Sequence, residues 1–240
     1  MVESFKITAQ ILKRILKISV NLPKDYNSNE MSYPVIIALD GQLLYNFINE
    51  DTKKINMAEC LDSFSKDCIC IALQSPKIPE WRISELNPYY SGKSETVDSV
   101  LSYIYYEYIV NELIPLLKER YRFNDEIYLL GFKEGAIAAL YMVYRYNIFK
   151  GAGIFNPTLE ECNIKLSEDI NKNFSSKKKM YLFQGGLGTD SKIDSQFYNL
   201  YTRLESLKCE MIKFDFDSNS DNSYKAYENH ITNFLEFMLP

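Results

Sequence analysis

The chain has 240 residues, of which 46% are hydrophobic and 25% are charged, a profile typical of one globular domain spanning residues 1–240. The formal net charge is −5, and no stripe of Lys and Arg alternates with aromatic residues, which argues against a nucleic-acid partner. No segment approaches the ~20 apolar residues of a membrane span, so association with a membrane is not expected.

Cysteine and histidine usage narrows the possible chemistry. The five cysteines lack the spacing of a disulfide framework, so we expect reduced, buried thiols and a cytoplasmic protein. The chain has one histidine, which excludes multi-histidine metal sites, and neither a metal nor a cofactor is expected. The basic run at 177–179 is interpreted as a solvated lead into a strand.

The predicted elements alternate between strands and helices along the chain. Apolar runs and alternation predict strands at 14–22, 33–39, 68–73, 126–131, 151–155, 179–185 and 209–216. Helical periodicity predicts helices at 55–64, 97–121, 134–146 and 194–207 and at the C-terminus, with a kink or break at Pro115. Four tyrosines in the second of these helices are interpreted as packing residues rather than as a stacking platform: Tyr103, Tyr105, Tyr106 and Tyr108. This order predicts an α/β fold with three layers and a mostly parallel sheet.

One short segment has the pattern of a nucleophile elbow. Residues 129–140 read LLGFKEGAIAAL, in which Gly131 and Gly135 lie two residues on either side of Lys133. An elbow needs small residues at these positions because the turn from strand to helix is tight and the residue at its apex is strained. In a parallel sheet this turn would lie at the carboxyl ends of the strands, where ligands bind.

The elbow and four further segments resemble the putative-esterase branch of the α/β-hydrolases, which includes esterase D and the enterochelin esterases. The segments VNLPKDY and YPVIIALDGQ are similar to the opening strands and oxyanion loop of that family. WRISELNP is similar to its arginine-to-proline loop, and YIVNELIPLLKERYRF to the helix before the elbow, including Pro115. The resemblance covers nearly the whole chain and implies the three-layer α/β-hydrolase fold.

The resemblance also assigns the positions at which the family carries its catalytic residues. Its enzymes attack an ester carbonyl with the elbow serine, which a histidine activates and an acidic residue orients. Lys133 stands at the serine position, and Asn222 falls at the histidine position when Tyr227 is aligned with the family's aromatic residue. Asp190 matches the acid position best and Asp194 is the second choice. His230 would then be a partly exposed helix residue.

These replacements predict binding rather than catalysis. A lysine at a helix N-terminus, beside the Glu134 amide and a loop amide, would hold a small carboxylate or phosphate. Arg82 would add to this site if the loop 75–92 folds over it, and the loop amide would come from one of three residues: Gly41, Gln42 or Leu43.

Several alternatives remain open. Lys133 could pair with Asp190 and fill a vacated site. The chain could hydrolyse an ester-like substrate through an unconventional arrangement, with Lys133 as a general base or with His230 nearer the site. It could also serve a protein partner, a structural role or a homo-oligomer. The segment 156–176 carries no recognisable signature.

Overall fold

Eight strands form one sheet in the computed structural model, which describes residues 1–46, 53–90, 101–160, 162–188 and 191–240, with the backbone alone at 163 and 191–194. The strands are β1 (Val2–Ala9), β2 (Arg14–Asn21), β3 (Tyr33–Leu39), β4 (Ile69–Leu73), β5 (Phe123–Phe132), β6 (Phe149–Phe155), β7 (Lys179–Gly185) and β8 (Met211–Asp217). Their order in the sheet is β1-β2-β4-β3-β5-β6-β7-β8.

Six of these strands are parallel and the first two run against their neighbours. Strands β3 to β8 pair in parallel, whereas β2 is antiparallel both to β1 and to β4. The carboxyl ends of the six parallel strands, and the turn between β1 and β2, therefore lie at one edge of the sheet. This edge is where an open α/β sheet binds its ligands.

The α-helices of the described residues are α1 (Met57–Ser63), α2 (Pro79–Leu86), α3 (Leu101–Tyr108), α4 (Ile114–Arg120), α5 (Glu134–Arg145), α6 (Asn163–Asn173), α7 (Ser191–Ser206) and α8 (Tyr224–Met238). The helices form a layer on each face of the sheet. Along β3, Val35 and Ile37 belong to the core shared with α3 to α7, whereas Ile36 and Ala38 belong to the core shared with α1 and α8. Such a strand, buried on both faces, is typical of a parallel sheet. The predicted three-layer α/β fold is confirmed.

Most predicted elements are present within a few residues, and the exceptions have physical reasons. Strand β1 and helices α2 and α6 were not predicted. β1 is a partly exposed edge strand, α2 begins at a proline in a segment interpreted as loop, and α6 lies in the segment 156–176, which carries no recognisable signature. The predicted helix 97–121 is α3 and α4 joined by a π-helical turn, Ile109–Leu113, and its first residues lie outside the described part. The π turn ends just before Pro115, which cannot donate a backbone hydrogen bond to the preceding turn.

Burial confirms one interpretation of side chains and corrects another. Tyr105, Tyr106 and Tyr108 are buried, so these three are packing residues, whereas Tyr103 is exposed and makes an edge contact with the Tyr141 ring. The run 177–179 is not simply solvated, because Lys178 is buried and its Nζ donates a hydrogen bond to the Phe149 carbonyl. Burial lowers the pKa of this ammonium.

The five cysteines are free thiols, and all of them except Cys60 are buried, as expected. None of the helices in the described ranges combines the length and apolar character needed to cross a bilayer.

Candidate functional site

Lys133 lies at the apex of a nucleophile elbow. It follows β5 directly and caps the N-terminus of α5, with φ 53° and ψ −115°, a strained conformation for a residue with a side chain. A Cβ at Gly131 would lie 2.1 Å from the Gly135 carbonyl oxygen, so the turn needs a glycine at that position. Gly135 instead leaves room for the Asp40 carboxylate, which would lie 3.3 Å from an added Cβ. The elbow predicted from glycine spacing is confirmed.

Hydrogen bonds on both sides of Lys133 hold this conformation. Its N–H donates to the Phe155 carbonyl at 2.9 Å, and its carbonyl accepts from the Ala136 N–H at 3.0 Å. The side chain is half-buried and its Nζ lies 5.6 Å from the centre of the Tyr224 ring, a cation–π distance. Among the described residues, no carboxylate forms an ion pair with this ammonium.

Arg82 lies at the elbow, as the predicted folding of loop 75–92 over the site requires. Its guanidinium does not stand free, however. The Nε atom donates to Asp40 Oδ1 at 2.8 Å, a second nitrogen donates to Asp40 Oδ2, and Nη1 donates to Glu134 Oε2 at 2.7 Å. Burial alone would lower the pKa of Arg82, but Asp40 and Glu134 raise it above its ordinary value. The positive charge predicted to assist an incoming anion is thus outweighed by two carboxylates.

The predicted oxyanion loop is a short 3₁₀ turn, Gly41–Leu43, at the end of β3. The Leu43 N–H donates to the Asp40 carbonyl at 2.9 Å, so Leu43 does not supply the loop amide, contrary to one of the three options. Gly41 and Gln42 remain as candidates. The Gln42 side chain is held on both ends, because its Nε2 donates to Asp40 Oδ1 at 3.0 Å and its Oε1 accepts from the Ser75 N–H at 3.0 Å.

Asn222, at the predicted histidine position, reaches the same edge of the sheet. Its side-chain oxygen accepts a hydrogen bond from Asn156 Nδ2, and Asn156 follows β6 next to the elbow. The register that places Asn222 here also puts Tyr227, Ile231, Phe234 and Leu235 on the buried face of α8. Tyr227 stacks on Phe132, the residue before the elbow, at 5.3 Å between ring centres.

His230 does not contact the elbow residues. Its Nδ1 lies 2.9 Å from Asp215 Oδ2 and its Nε2 lies 3.4 Å from Asp217 Oδ2, both on β8, and its ring packs on Phe183. Both ring nitrogens therefore face carboxylates of β8. This placement agrees with the expectation of a partly exposed helix residue outside the site.

Asp190 lies outside the described residues, as does the side chain of Asp194, and the acid position stays a prediction. Asp40 and Asn156 belong to the site but were not predicted from the sequence, although a polar residue directly after a buried strand is a usable signal. Tyr224 gave no signal of this kind.

The site combines one ammonium with backbone donors. The Glu134 N–H, in the first turn of α5, forms no hydrogen bond with another described residue, and the helix N-terminus adds positive potential there. Among the described side chains near Lys133, neither a hydroxyl nor a thiol is paired with a base. The arrangement suits binding of a negative charge rather than attack on a carbonyl.

Several solved structures share the fold, among them two hydrolases. An IroE-like serine hydrolase from Shewanella oneidensis has a TM-score of 0.79 and 17% identity, over 99% of this chain and 79% of that chain. The BES protein from Bacillus cereus has a TM-score of 0.80 and 18% identity, over 100% and 95%. The siderophore hydrolase EstB from Aspergillus nidulans has a TM-score of 0.69 and 16% identity, over 99% and 94%.

At this level of identity, these likenesses establish the α/β-hydrolase fold. No curated protein is significantly similar to the chain in sequence. The family model described as putative esterase matches residues 9–186, which is more than half of the chain and includes the elbow. The chain therefore belongs to the putative esterase family.

Proposed function

We propose that this protein is a non-catalytic member of its family that binds a small anionic ligand at the elbow. The observation that carries the proposal is the side chain at the apex. Lys133 occupies the strained position from which a hydrolase of this fold presents its nucleophile. Asn222, at the position of the family's histidine, accepts a hydrogen bond from Asn156 and is not a base.

Lysine is a poor substitute for the serine nucleophile. An amine that attacks an ester forms an amide, and this amide does not hydrolyse on the timescale of an acyl-serine. A Lys133 general base would need a lowered pKa together with a positioned water.

The charges described at the elbow sum to zero, because Lys133 and Arg82 are positive while Asp40 and Glu134 are negative. Both carboxylates pair with Arg82, so Lys133 has no carboxylate partner among the described residues, and a ligand with one negative charge can pair with it. A monocarboxylate would accept from the Lys133 ammonium and from the Glu134 N–H. A doubly charged phosphate would place its second charge near Glu134. We therefore rank carboxylates above phosphates.

A second candidate is an ester hydrolase with an unconventional site. The family assignment favours this candidate. The elbow conformation also favours it, because the strained turn is present although Lys133 replaces the serine. In this candidate, Lys133 acts as a general base towards water.

Hydrolysis of short-chain p-nitrophenyl esters separates the two candidates. We expect the purified protein, Lys133→Ala and His230→Ala to show rates equal to the background. Activity in the natural protein that Lys133→Ala abolishes would establish the esterase candidate instead. Lys133→Ser should not restore turnover, because Asn222 cannot accept the serine proton.

Titration with acetate, benzoate and phosphate, followed by NMR or calorimetry, tests anion binding. We expect Lys133→Ala to lose carboxylate binding and Lys225→Ala, an exposed lysine close by on α8, to retain it. Equal affinity in the natural protein and in Lys133→Ala would refute the proposed site.

The same proposal includes a cellular setting. We place the protein in the cytoplasm, because its cysteines are free thiols and most are buried. We also infer that residues 1–240 act as one domain built on the single sheet. A homo-oligomer or a protein partner at the elbow remains compatible with this proposal, and sedimentation analysis would test the oligomeric state.

A further inference from the structure

A second cavity lies at the same edge of the sheet, on another side of α2. It has a volume of about 400 Å³ and lies between the β1–β2 turn, α2 and α3. Its apolar lining includes Ile11, Leu12, Trp81 and Ile104. Arg82, the residue after Trp81, turns instead towards the elbow, so the two sites share α2 but use different faces of it. The size and lining are those of a small-molecule pocket.

An ion pair forms the polar part of this cavity. The Arg14 Nε donates to Glu85 Oε2 at 3.1 Å, and its Nη2 donates to Glu85 Oε1 at 2.6 Å and to the Gln74 carbonyl at 3.2 Å. The Glu85 side chain is 7% exposed and that of Arg14 is 21% exposed. No hydrogen bond to a described residue uses Arg14 Nη1. The polar lining therefore contains a buried ion pair, a guanidinium N–H that no described residue accepts, and the exposed Lys13.

An aromatic ring lies beside the Arg14 guanidinium, and large apolar side chains at the cavity are exposed. The Tyr105 ring lies 6.0 Å from Arg14 Cζ, and its buried hydroxyl has no hydrogen-bond partner among the described residues. Trp81 is 48% exposed and Ile11 is 52% exposed, so large apolar side chains at this cavity remain in contact with water. Covering them with an apolar molecule is favourable.

We propose that this cavity is a second binding site, for a small uncharged amphipathic molecule whose apolar body contacts Trp81 and whose carbonyl oxygen accepts from Arg14. Charge decides the class of ligand. The carboxylate of Glu85 balances Arg14 and would repel an anion, while Arg14 would repel a cation. The third charged residue of the lining, Lys13, is exposed, so water and salt screen its charge. A neutral carbonyl compound accepts the available hydrogen bond without adding a charge. This site is independent of the anion site proposed at Lys133.

Trp81 is the one tryptophan in the chain, so its fluorescence reports directly on this cavity. Three six-carbon probes test the charge preference at pH 8, above the pKa of about 7 of Glu85: hexanamide, hexanoate and hexylammonium. We expect hexanamide to shift the emission to shorter wavelength with a Kd of about 1 mM, a value reasonable for so small a ligand. The two charged probes should bind about fivefold more weakly or worse, a difference of about 1 kcal/mol. A response that does not saturate, or equal affinity for the three probes, would overturn the proposal.

Two matched substitutions localise the response. Ile11→Asp places a charge in the cavity and should weaken hexanamide binding about tenfold or more. Ile15→Asp changes a residue of similar exposure, 58%, that does not line the cavity, and binding should be unchanged. Protection of Trp81 from acrylamide quenching by hexanamide gives a second readout that needs no substitution. Lys133→Ala should leave hexanamide binding intact, and a loss in that variant would show that the two sites are not independent.

Discussion

Replacing Arg82 by Met removes the cation that neutralises the most deeply buried carboxylate of the elbow. Asp40 is 0% exposed, and in the natural protein it accepts two hydrogen bonds from Arg82 and one from Gln42. Methionine keeps most of the apolar stem but supplies no donor. Removing one partner of a buried ion pair typically costs about 3–5 kcal/mol of unfolding free energy, because a charge is left without its counterpart. Since the Arg82 side chain is still 23% exposed, we expect the lower end of that range, about 3 kcal/mol.

A double substitution separates the stranded charge from the lost packing. In Arg82→Met with Asp40→Asn, the carboxylate becomes a neutral amide, and we expect about half of the lost stability to return. Urea unfolding monitored by far-UV circular dichroism gives the free energies for both variants and for the natural protein. Lys118→Met is the control. It breaks a pair whose acidic partner, Asp125, has a side chain that is 87% exposed, and no measurable loss is expected.

The result that would refute this reasoning is a small loss in the single variant. If Arg82→Met lowers the free energy of unfolding by less than about 1 kcal/mol, the burial of the Asp40 carboxylate does not depend on Arg82. A double variant no more stable than Arg82→Met would show instead that packing of the arginine stem, and not its charge, carries the effect.

Three further substitutions test the elbow and the second cavity. Gly131→Ala should destabilise the protein by about 3 kcal/mol or more in chemical unfolding, since the new Cβ meets backbone atoms of Gly135 that cannot move aside. Lys133→Gly should raise the free energy of unfolding by about 1 kcal/mol, because glycine relieves the strained backbone, and an unchanged value would show that the elbow stores no strain. Burial raises the pKa of Glu85 from 4.5 to about 7, although Arg14 acts in the opposite direction. The folded state then binds a proton on Glu85 more tightly than the unfolded chain does. The protonation of Glu85 therefore contributes fully to the free energy of unfolding below pH 4.5, and this contribution is lost as the pH rises through about 7. Relative to Glu85→Gln, the natural protein should lose up to about 3 kcal/mol over this range, and parallel pH profiles would contradict the assignment.

The amino-acid sequence determined the features that depend on local pattern. Continuous apolar runs such as 33–39 placed the buried strands, because a parallel strand is covered on both faces. The glycines around Lys133 predicted the elbow, since so tight a turn excludes a Cβ at Gly131. The position of Asn222 came from the resemblance to the family, in which Tyr227 is aligned with an aromatic residue.

Only the tertiary structure decided how the charges of the site are matched. Arg82, Asp40 and Glu134 come from three separate segments, and no local pattern predicts that one guanidinium is shared between two carboxylates. The contacts of His230 were likewise decided by the tertiary structure. Because β8 pairs with β7 beneath α8, Asp215 and Asp217 lie next to the His230 ring. Charge pairing depends on distances between residues far apart in the chain, which hydrophobic periodicity does not encode. The sequence could therefore locate a lysine at an elbow, while the fold determined that it is the cation there without a carboxylate partner among the described residues.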